Sequence, residues 1–350
     1  MLRLRSLVGG LLILGLLTAC TPDPPDVPAD TWSMLGTFPE STQSISQVDL
    51  QQLKTEAGIS FFGARGIQLT LLDSDMTFDP LTREQRAELN AFIEASGFDP
   101  DTDLNAVLIG ATPLLDDTDP EALERPLAVF SATFTRDALA EALLDASDLI
   151  RPVDEATHRF AFDRAEDADL EDSSTHIALL DDNRIAVGHA NDIDALLARH
   201  DEGRDGLSVD ATTRGLIGYA AQGGSAWSVL LDMPREIEQT VDEIDDADDA
   251  EEWQRRLARV AQVTDQGGLA FTLDQQNVQS RLTLVAHDNA RDVRRLLNGV
   301  LSGAQSQDRW TEDQQAMLEN IEIRDEGAFV HIDMSTTQRF LAELALNASS

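Results

Sequence analysis

The chain has 350 residues, 64 of them Asp or Glu against 26 Lys or Arg, for a formal net charge of -38 at pH 7. No Lys/Arg stripe exists to neutralise phosphates, which excludes nucleic-acid partners, and adsorption to anionic lipid through surface charge is excluded for the same reason. Cys20 is the only cysteine, so an intramolecular disulfide and a thiolate metal site are excluded as well.

Lys54 is the only lysine, which leaves 26 less one, or 25, arginines. Abundant Asp and Glu with almost no Lys resembles the proteins of salt-adapted, GC-rich bacteria. At molar salt the Debye length is about 3 Å, so a crowded acidic surface repels itself weakly there and strongly in dilute buffer. The melting temperature is therefore expected to rise steeply with NaCl up to molar levels, and a flat or falling trend would contradict this reading.

The chain opens with Arg3 and Arg5, an apolar run from Leu7 to Leu17, and then Leu17-Thr18-Ala19-Cys20. A charged start, a short apolar core and small residues before a cut site make a secretory signal. The core is too short for a permanent span, which needs about 20 apolar residues. The last four residues resemble the lipobox of bacterial lipoproteins. That resemblance implies cleavage before Cys20, diacylglycerol on its sulfur and a bilayer as partner. Thr21 lacks the aspartate that retains enteric lipoproteins at the inner membrane, which favours the outer membrane, periplasmic face. Cleavage leaves 331 residues and removes two arginines, so the mature charge is 24 minus 64, or -40.

Residues 21–31, TPDPPDVPADT, carry four prolines and three aspartates. They predict an extended tether of about 3 Å per residue that holds the body some 30 Å from the headgroups. A strand (STQSISQVDL) and a short helix are expected within 38–53, followed by a looser stretch broken by Gly58, Gly63 and Gly66. From Thr82, TREQRAELNAFIEASG predicts a capped helix ended by Gly97. The strands NAVLIGAT and LAVFSATF follow, the second running into the helix RDALAEALL. HRFAF, THIALL and RIAVGHA are strands, the last two joined by a turn at Asp181-Asp182-Asn183. ANDIDALLARH is a helix with Asn191 or Asp192 as its cap.

The second half repeats this grammar. SAWSVLLDM is a strand, and the acidic segment from Pro234 is helical. GLAFTLDQQNVQSRLTLVAHD is a hairpin followed by the helix NARDVRRLLNGVL. IEIRDEGAFVHIDM is a hairpin with its turn at Asp325-Glu326-Gly327, followed by the helix STTQRFLAELAL. The predicted fold is α+β: two tandem modules of antiparallel sheet with helices on one face, built from repeated β-hairpin–helix units. The predicted boundaries are a leader at 1–19, a lipidated tether at 20–37, and modules at 38–205 and 206–346. Three stretches, GFDPDTDLNAVLIGA, LAVFSATFTRDAL and IALLDDNRIAVGHANDIDALL, resemble a loosely defined group of bacterial exported proteins of unknown function. The likeness runs over about residues 80–345. It implies the fold and no catalytic residues.

Motifs for known chemistry are missing. There is no G-x-S-x-G or S-x-x-K, the lone lysine follows Gln-Gln-Leu rather than a P-loop glycine, and Gly215 and Gly218 fall short of a dinucleotide fingerprint. No cofactor is implied. The six histidines stand at 158, 176, 189, 200, 287 and 331, with no pair at zinc-ligand spacing. His189, His287 and His331 each lie late in a hairpin strand, which makes them candidates related by duplication and expected as rim or half-buried residues. Asp99, Asp101, Asp103 and Asn105 have the alternating oxygen spacing of a calcium loop, but Leu104 occupies its glycine position and Gly110 its bidentate acid. The competing reading is a turn in which Asp99 and Asp103 cap backbone amides. Asp116, Asp117 and Asp119 form a second acidic loop. The run from Asp242 to Glu252, with eight acids in eleven residues, reads either as a cation-binding or basic-partner patch or as a solvated face between two helices, the second being favoured in so acidic a chain. Trp227, Trp253 and Trp310 are expected in packing rather than on sugars.

The leading functional reading is a non-catalytic envelope lipoprotein that binds or scaffolds an envelope protein partner. The alternatives are a divalent-cation or small-ligand binder and, behind that, an exported hydrolase with a site assembled from scattered residues.

Overall fold

Every strand pair is antiparallel, and twelve of the fifteen described strands join one sheet. The structure is a computed structural model. It describes residues 24–57, 59–60, 67–71, 74–78, 83–112, 125–146, 150–154, 158–162, 175–202, 207–222, 224–231, 252–274, 277–307 and 310–337.

In chain order the strands of the large sheet are β1 (Ser44–Asp49), β5 (Leu104–Thr112), β6 (Arg125–Ala132), β7 (Ile150–Asp154), β8 (Arg159–Phe162), β9 (Thr175–Leu179), β10 (Arg184–His189), β11 (Ala226–Leu230), β12 (Gln266–Asp274), β13 (Asn277–Val285), β14 (Glu322–Glu326) and β15 (Phe329–Thr337). Strands β2 (Ile59–Ser60), β3 (Ile67–Leu71) and β4 (Ser74–Phe78) form a separate small sheet. The helices are α1 (Ala29–Leu35), α2 (Leu50–Ala57), α3 (Arg83–Ser96), α4 (Pro100–Asp103), α5 (Arg136–Ala146), α6 (Ala190–Glu202), α7 (Ala211–Ala221), α8 (Glu252–Gln262), α9 (Ala290–Gln305) and α10 (Glu312–Glu319).

The fold is α+β, as the alternating strands and periodic helices imply. β1 is the seam of the large sheet. It pairs with β5 on one side, and β6, β10, β9, β8 and β7 follow outward. On its other side it pairs with β11, and β12, β13, β15 and β14 follow. The two runs of hairpins therefore share one sheet that passes without a break from one half of the chain to the other.

Helices cover both faces rather than one, and side-chain alternation shows it directly. Val129, Ala178 and Ala186 pack with Met34 and Leu35 of α1, Ile193 and Leu196 of α6, and Leu216 and Ile217 of α7. Their strand neighbours Phe130, Ile177 and Ile185 pack instead with Phe92 of α3 and Leu139 of α5. Successive strand residues point to opposite faces, so these clusters lie on opposite sides of the sheet. The second half repeats the split: Val285 and Phe329 join the α7 side, while Leu284 and Val330 pack with Val260 of α8 and Val293 and Leu297 of α9.

Several sequence expectations hold in detail. Gly97, at φ +65°, ends α3 in the left-handed conformation that glycine tolerates. Asp181 accepts the amide of Asn183 at 3.0 Å and closes the β9–β10 turn. Four details differ. The described part of the tether, 24–37, is packed: α1 buries Met34 and Leu35, and Phe38 behind it is fully buried, because the apolar Met-Leu-x-x-Phe spacing outweighs the flanking prolines. Helix α6 begins at Ala190, and its Asn191 amide is met by His189 Nδ1 at 3.3 Å rather than by an Asn191 or Asp192 cap. Asp325 and Glu326 stay in β14, with the turn falling on Gly327 and Ala328. Strand β15 runs on through Ser335, Thr336 and Thr337, paired with β13, where a helix start was expected. Thr82, the loop at Asp116, the run from Asp242 to Glu251 and the segment after Thr337 lie outside the described residues.

Helix α7, ATTRGLIGYAA, was not expected. Asp210 caps it by accepting the Thr213 amide at 2.7 Å. Its residues from Gly215 to Ala220 are all buried, because the sheet lies on one side and Pro24 and Pro25 lie across the other. A Cβ on Gly215 would come within 2.9 Å of the Pro24 ring, and one on Gly218 would overlap the Pro25 carbonyl oxygen. The glycine pair is thus a backbone groove for an incoming proline strap, and the dinucleotide reading that it failed to meet is replaced by a packing role.

Candidate functional site

The residues singled out by the sequence do not assemble into one centre. Asp99 accepts the Asp101 amide at 2.9 Å, and Asp103 accepts the Asp99 amide at 2.7 Å, so both cap backbone groups around α4. Asp101 turns onto Lys54, 2.6 Å from its ammonium, and Asn105 continues into β5. Among the described residues no group of three or more His, Cys, Asp or Glu side chains could hold a metal ion. Trp227 is buried in β11 and Trp310 donates to the Ala304 carbonyl at 2.7 Å, both packing roles.

The three histidines are separated by the sheet. His189 ends β10, and His287 follows β13 in a short 3-10 turn with Asp265 3.3 Å from its Nε2. β12, β11, β1, β5 and β6 intervene between β13 and β10, so at about 4.8 Å per strand the two lie roughly 29 Å apart. His331 sits inside β15, opposite Thr283, and is 2% exposed where a rim residue was expected. It lines a cavity.

That cavity lies between the α7 end and β13–β15, in two adjoining lobes of about 380 and 410 Å³. Tyr219, Gln222 and Arg281 belong to both lobes, Asp333 to the first, and Pro25, Arg324, Glu326 and His331 to the second. Thr283 Oγ1 is 3.0 Å from His331 Nδ1, while Nε2 is buried with no hydrogen-bond partner and has a Glu326 oxygen 3.9 Å away. Burial pushes this imidazole down to about 4, with the Arg281 charge acting the same way. Tyr219, stacked edge-on against it at 4.5 Å, is pushed up to about 12 by burial and by the Glu326 charge. Asp333 takes Arg281 on one oxygen at 2.6 Å and Arg324 on the other. Burial pushes the Asp333 carboxyl up, and the two guanidiniums more than offset that, leaving it below the ordinary value. The arginines here are neutralised in place.

A second cavity, of about 750 Å³, lies between α1, the end of α6 and the start of α7. Its wall includes Trp32 of α1, Glu40, Arg184 of β10, Arg199 and His200 of α6, Ser208 before α7, and Arg214 of α7. Arg184 is held by Asp181 through Nε at 2.8 Å and Nη2 at 2.6 Å. Arg199 donates to the Phe38 carbonyl at 2.7 Å. The Arg214 guanidinium lies over the Trp32 ring, 4.6 Å from its centroid. Sequence reasoning missed all four residues, because they come from four elements at spacings that form no motif. The only available signal was the rarity of basic residues, which makes any cluster of them unusual.

No protein-family model and no curated protein matches the chain. Among solved structures it is similar to crystal form IV of TP0453, at 9% identity and a TM-score of 0.46, over 91% of this chain and 99% of that one. It is likewise similar to crystal form III of TP0453, at 10% identity and a TM-score of 0.44, over 88% of this chain and 96% of that one.

Proposed function

We propose that this chain is a lipid-anchored bacterial envelope protein whose body binds a ligand or partner and does not catalyse a reaction. The address rests on the Leu17-Thr18-Ala19-Cys20 stretch, with acylation at Cys20 and, through Thr21, the periplasmic face of the outer membrane. The binding role is carried by one observation: α1, which begins nine residues after Cys20, is at once part of the core and a wall of the 750 Å³ cavity. The stretch of chain that reaches for the membrane thereby shapes a ligand-sized hollow. Among the described residues no helix is long and apolar enough to cross a membrane, so in this reading the acyl chains hold the protein down.

Two measurements test it. Mass spectrometry of the mature N-terminal peptide is expected to find diacylglycerol on Cys20, with Cys20→Ser moving the protein from the membrane to the soluble fraction; an unmodified peptide would remove the anchor. Crosslinking in membranes at high salt, followed by capture and mass spectrometry, is expected to return a reproducible envelope partner or a bound small molecule. Turnover of an envelope substrate by the purified chain would replace the binding role with an enzymatic one.

A further inference from the structure

We infer that the cavity between α1, α6 and α7 is a phosphate-binding site, taking a phosphomonoester or a phosphate-bearing headgroup. This rests on the reading of the body as a binding protein and is independent of acylation at Cys20.

The first argument is charge. In a chain with 64 acids and 26 basic residues, the default surface surrounds each guanidinium with carboxylates. Here Arg184, itself held by Asp181, joins Arg199, Arg214 and the His200 imidazole around one hollow whose described wall includes Glu40. Among the described residues, neither Arg199 nor Arg214 makes an ion pair. The β13–β15 cavity provides the internal control, since its two arginines share Asp333. Local charge inversion in so acidic a molecule favours an anion over a cation or a neutral ligand.

The second argument is preorganisation. Arg199 is held by a carbonyl and Arg214 by a ring face, two contacts that fix a guanidinium without cancelling its charge. A guanidinium carries five N–H donors, and the Phe38 carbonyl accepts from one nitrogen of Arg199, so donors remain for a ligand. Arg199 and His200 also stand in the last turn of α6, whose carbonyl ends steady positive charge. The third argument is stoichiometry. One guanidinium satisfies a carboxylate in bidentate fashion, whereas the two guanidiniums of this hollow without an ion pair among the described residues, Arg199 and Arg214, match the two charges of a dianionic tetrahedral group. The hollow also has the volume of a small-molecule site.

The test is calorimetric titration of the full chain in detergent micelles, at ionic strength held constant with NaCl. The probes are inorganic phosphate, glycerol 3-phosphate and dihexanoyl phosphatidic acid below its micelle concentration. Saturable binding of at least one probe is expected, weakened tenfold or more in the Arg199→Gln/Arg214→Gln double variant and partly restored by Arg199→Lys/Arg214→Lys. Tighter binding of the short-chain lipid assigns the site to headgroups, and equal or tighter binding of glycerol 3-phosphate assigns it to soluble phosphomonoesters. The same affinities in Cys20→Ser are expected, which separates this site from the fate of the anchor. No heat beyond a chloride control for any probe, or binding unchanged in the double variant, overturns the proposal. Unfolding midpoints of both variants, recorded alongside, show that the fold is retained.

Discussion

Two cavities in this molecule are lined by arginine, and they handle it in opposite ways. Beside β13 and β15, Arg281 and Arg324 close on the single carboxylate of Asp333, with a neutral buried His331 and a high-pKa Tyr219 behind them. Between α1, α6 and α7, Arg199 and Arg214 are positioned by a carbonyl and an indole, so their charge is not cancelled. The first arrangement invests its polar groups in holding two strands together. The second holds its groups still and leaves their charge available. In an acid-rich chain the difference between structural and functional arginine is thus what anchors the side chain, not how many arginines are present.

The largest expected effect tests the structural cavity. The His331 imidazole is held at about 4 when folded, against about 6.5 when unfolded, so between those values the unfolded chain binds more protons and stability rises with pH. The groups facing it are Glu326, Arg281, Arg324, Asp333 and Tyr219. Its contribution is complete above pH 6.5 and is lost as pH falls toward 4, worth about 3 kcal/mol in all. Urea unfolding at constant ionic strength is expected to show that loss down to pH 4.5, with a flatter profile in His331→Asn. An equal slope in both would mean that His331 titrates normally.

Asp333→Asn comes next. It leaves two guanidiniums beside each other without their carboxylate, at a cost of about 2 kcal/mol, below the figure for a fully buried pair because the side chains are partly exposed. The strap follows: Gly218→Ala drives a methyl into the Pro25 carbonyl and is expected to cost about 1.5 kcal/mol by overpacking, whereas Gly303→Ala in α9, with no neighbouring atom within 4 Å, is expected to stabilise by up to about 1 kcal/mol. Thermal melts of the pair decide whether the strap is docked in solution, and a stabilised Gly218→Ala would show it is not. The smallest effect belongs to the open cavity, where Arg199→Gln or Arg214→Gln is expected to change stability by no more than about 0.5 kcal/mol. A loss on the scale of Asp333→Asn would make these arginines structural and erase the contrast between the cavities.

How much of this was legible in the sequence follows from the range of each interaction. Hairpins and the helices after them were readable because alternation, turn aspartates and a helical stripe are local: Asp181 with Asn183, or Gly97 after α3. Asp99 and Asp103 were correctly weighed as amide caps for the same reason. Helix α7 was not readable, because Gly215 and Gly218 lower helix propensity and their justification, the Pro24–Pro25 strap, lies about 190 residues away. Helix α1 was hidden by the prolines beside it, although Met34, Leu35 and Phe38 carried the apolar spacing. His331 and Arg281 shared a site that no spacing announces, since cross-strand register between β13 and β15 creates it. The arginine cavity needed four elements to meet and was invisible to any motif.

The docked strap has a mechanical consequence. If Cys20 carries the lipid, three residues lie between it and Pro24, and the four Cα–Cα steps reach at most about 14 Å. Such a leash is short. Any pull on the anchor, as when a lipoprotein is drawn out of its membrane, would load the Pro24–Pro25 contact on α7 directly, and through it α1, a wall of the arginine cavity. Under the proposed anchor, extraction would then strain the wall of that cavity.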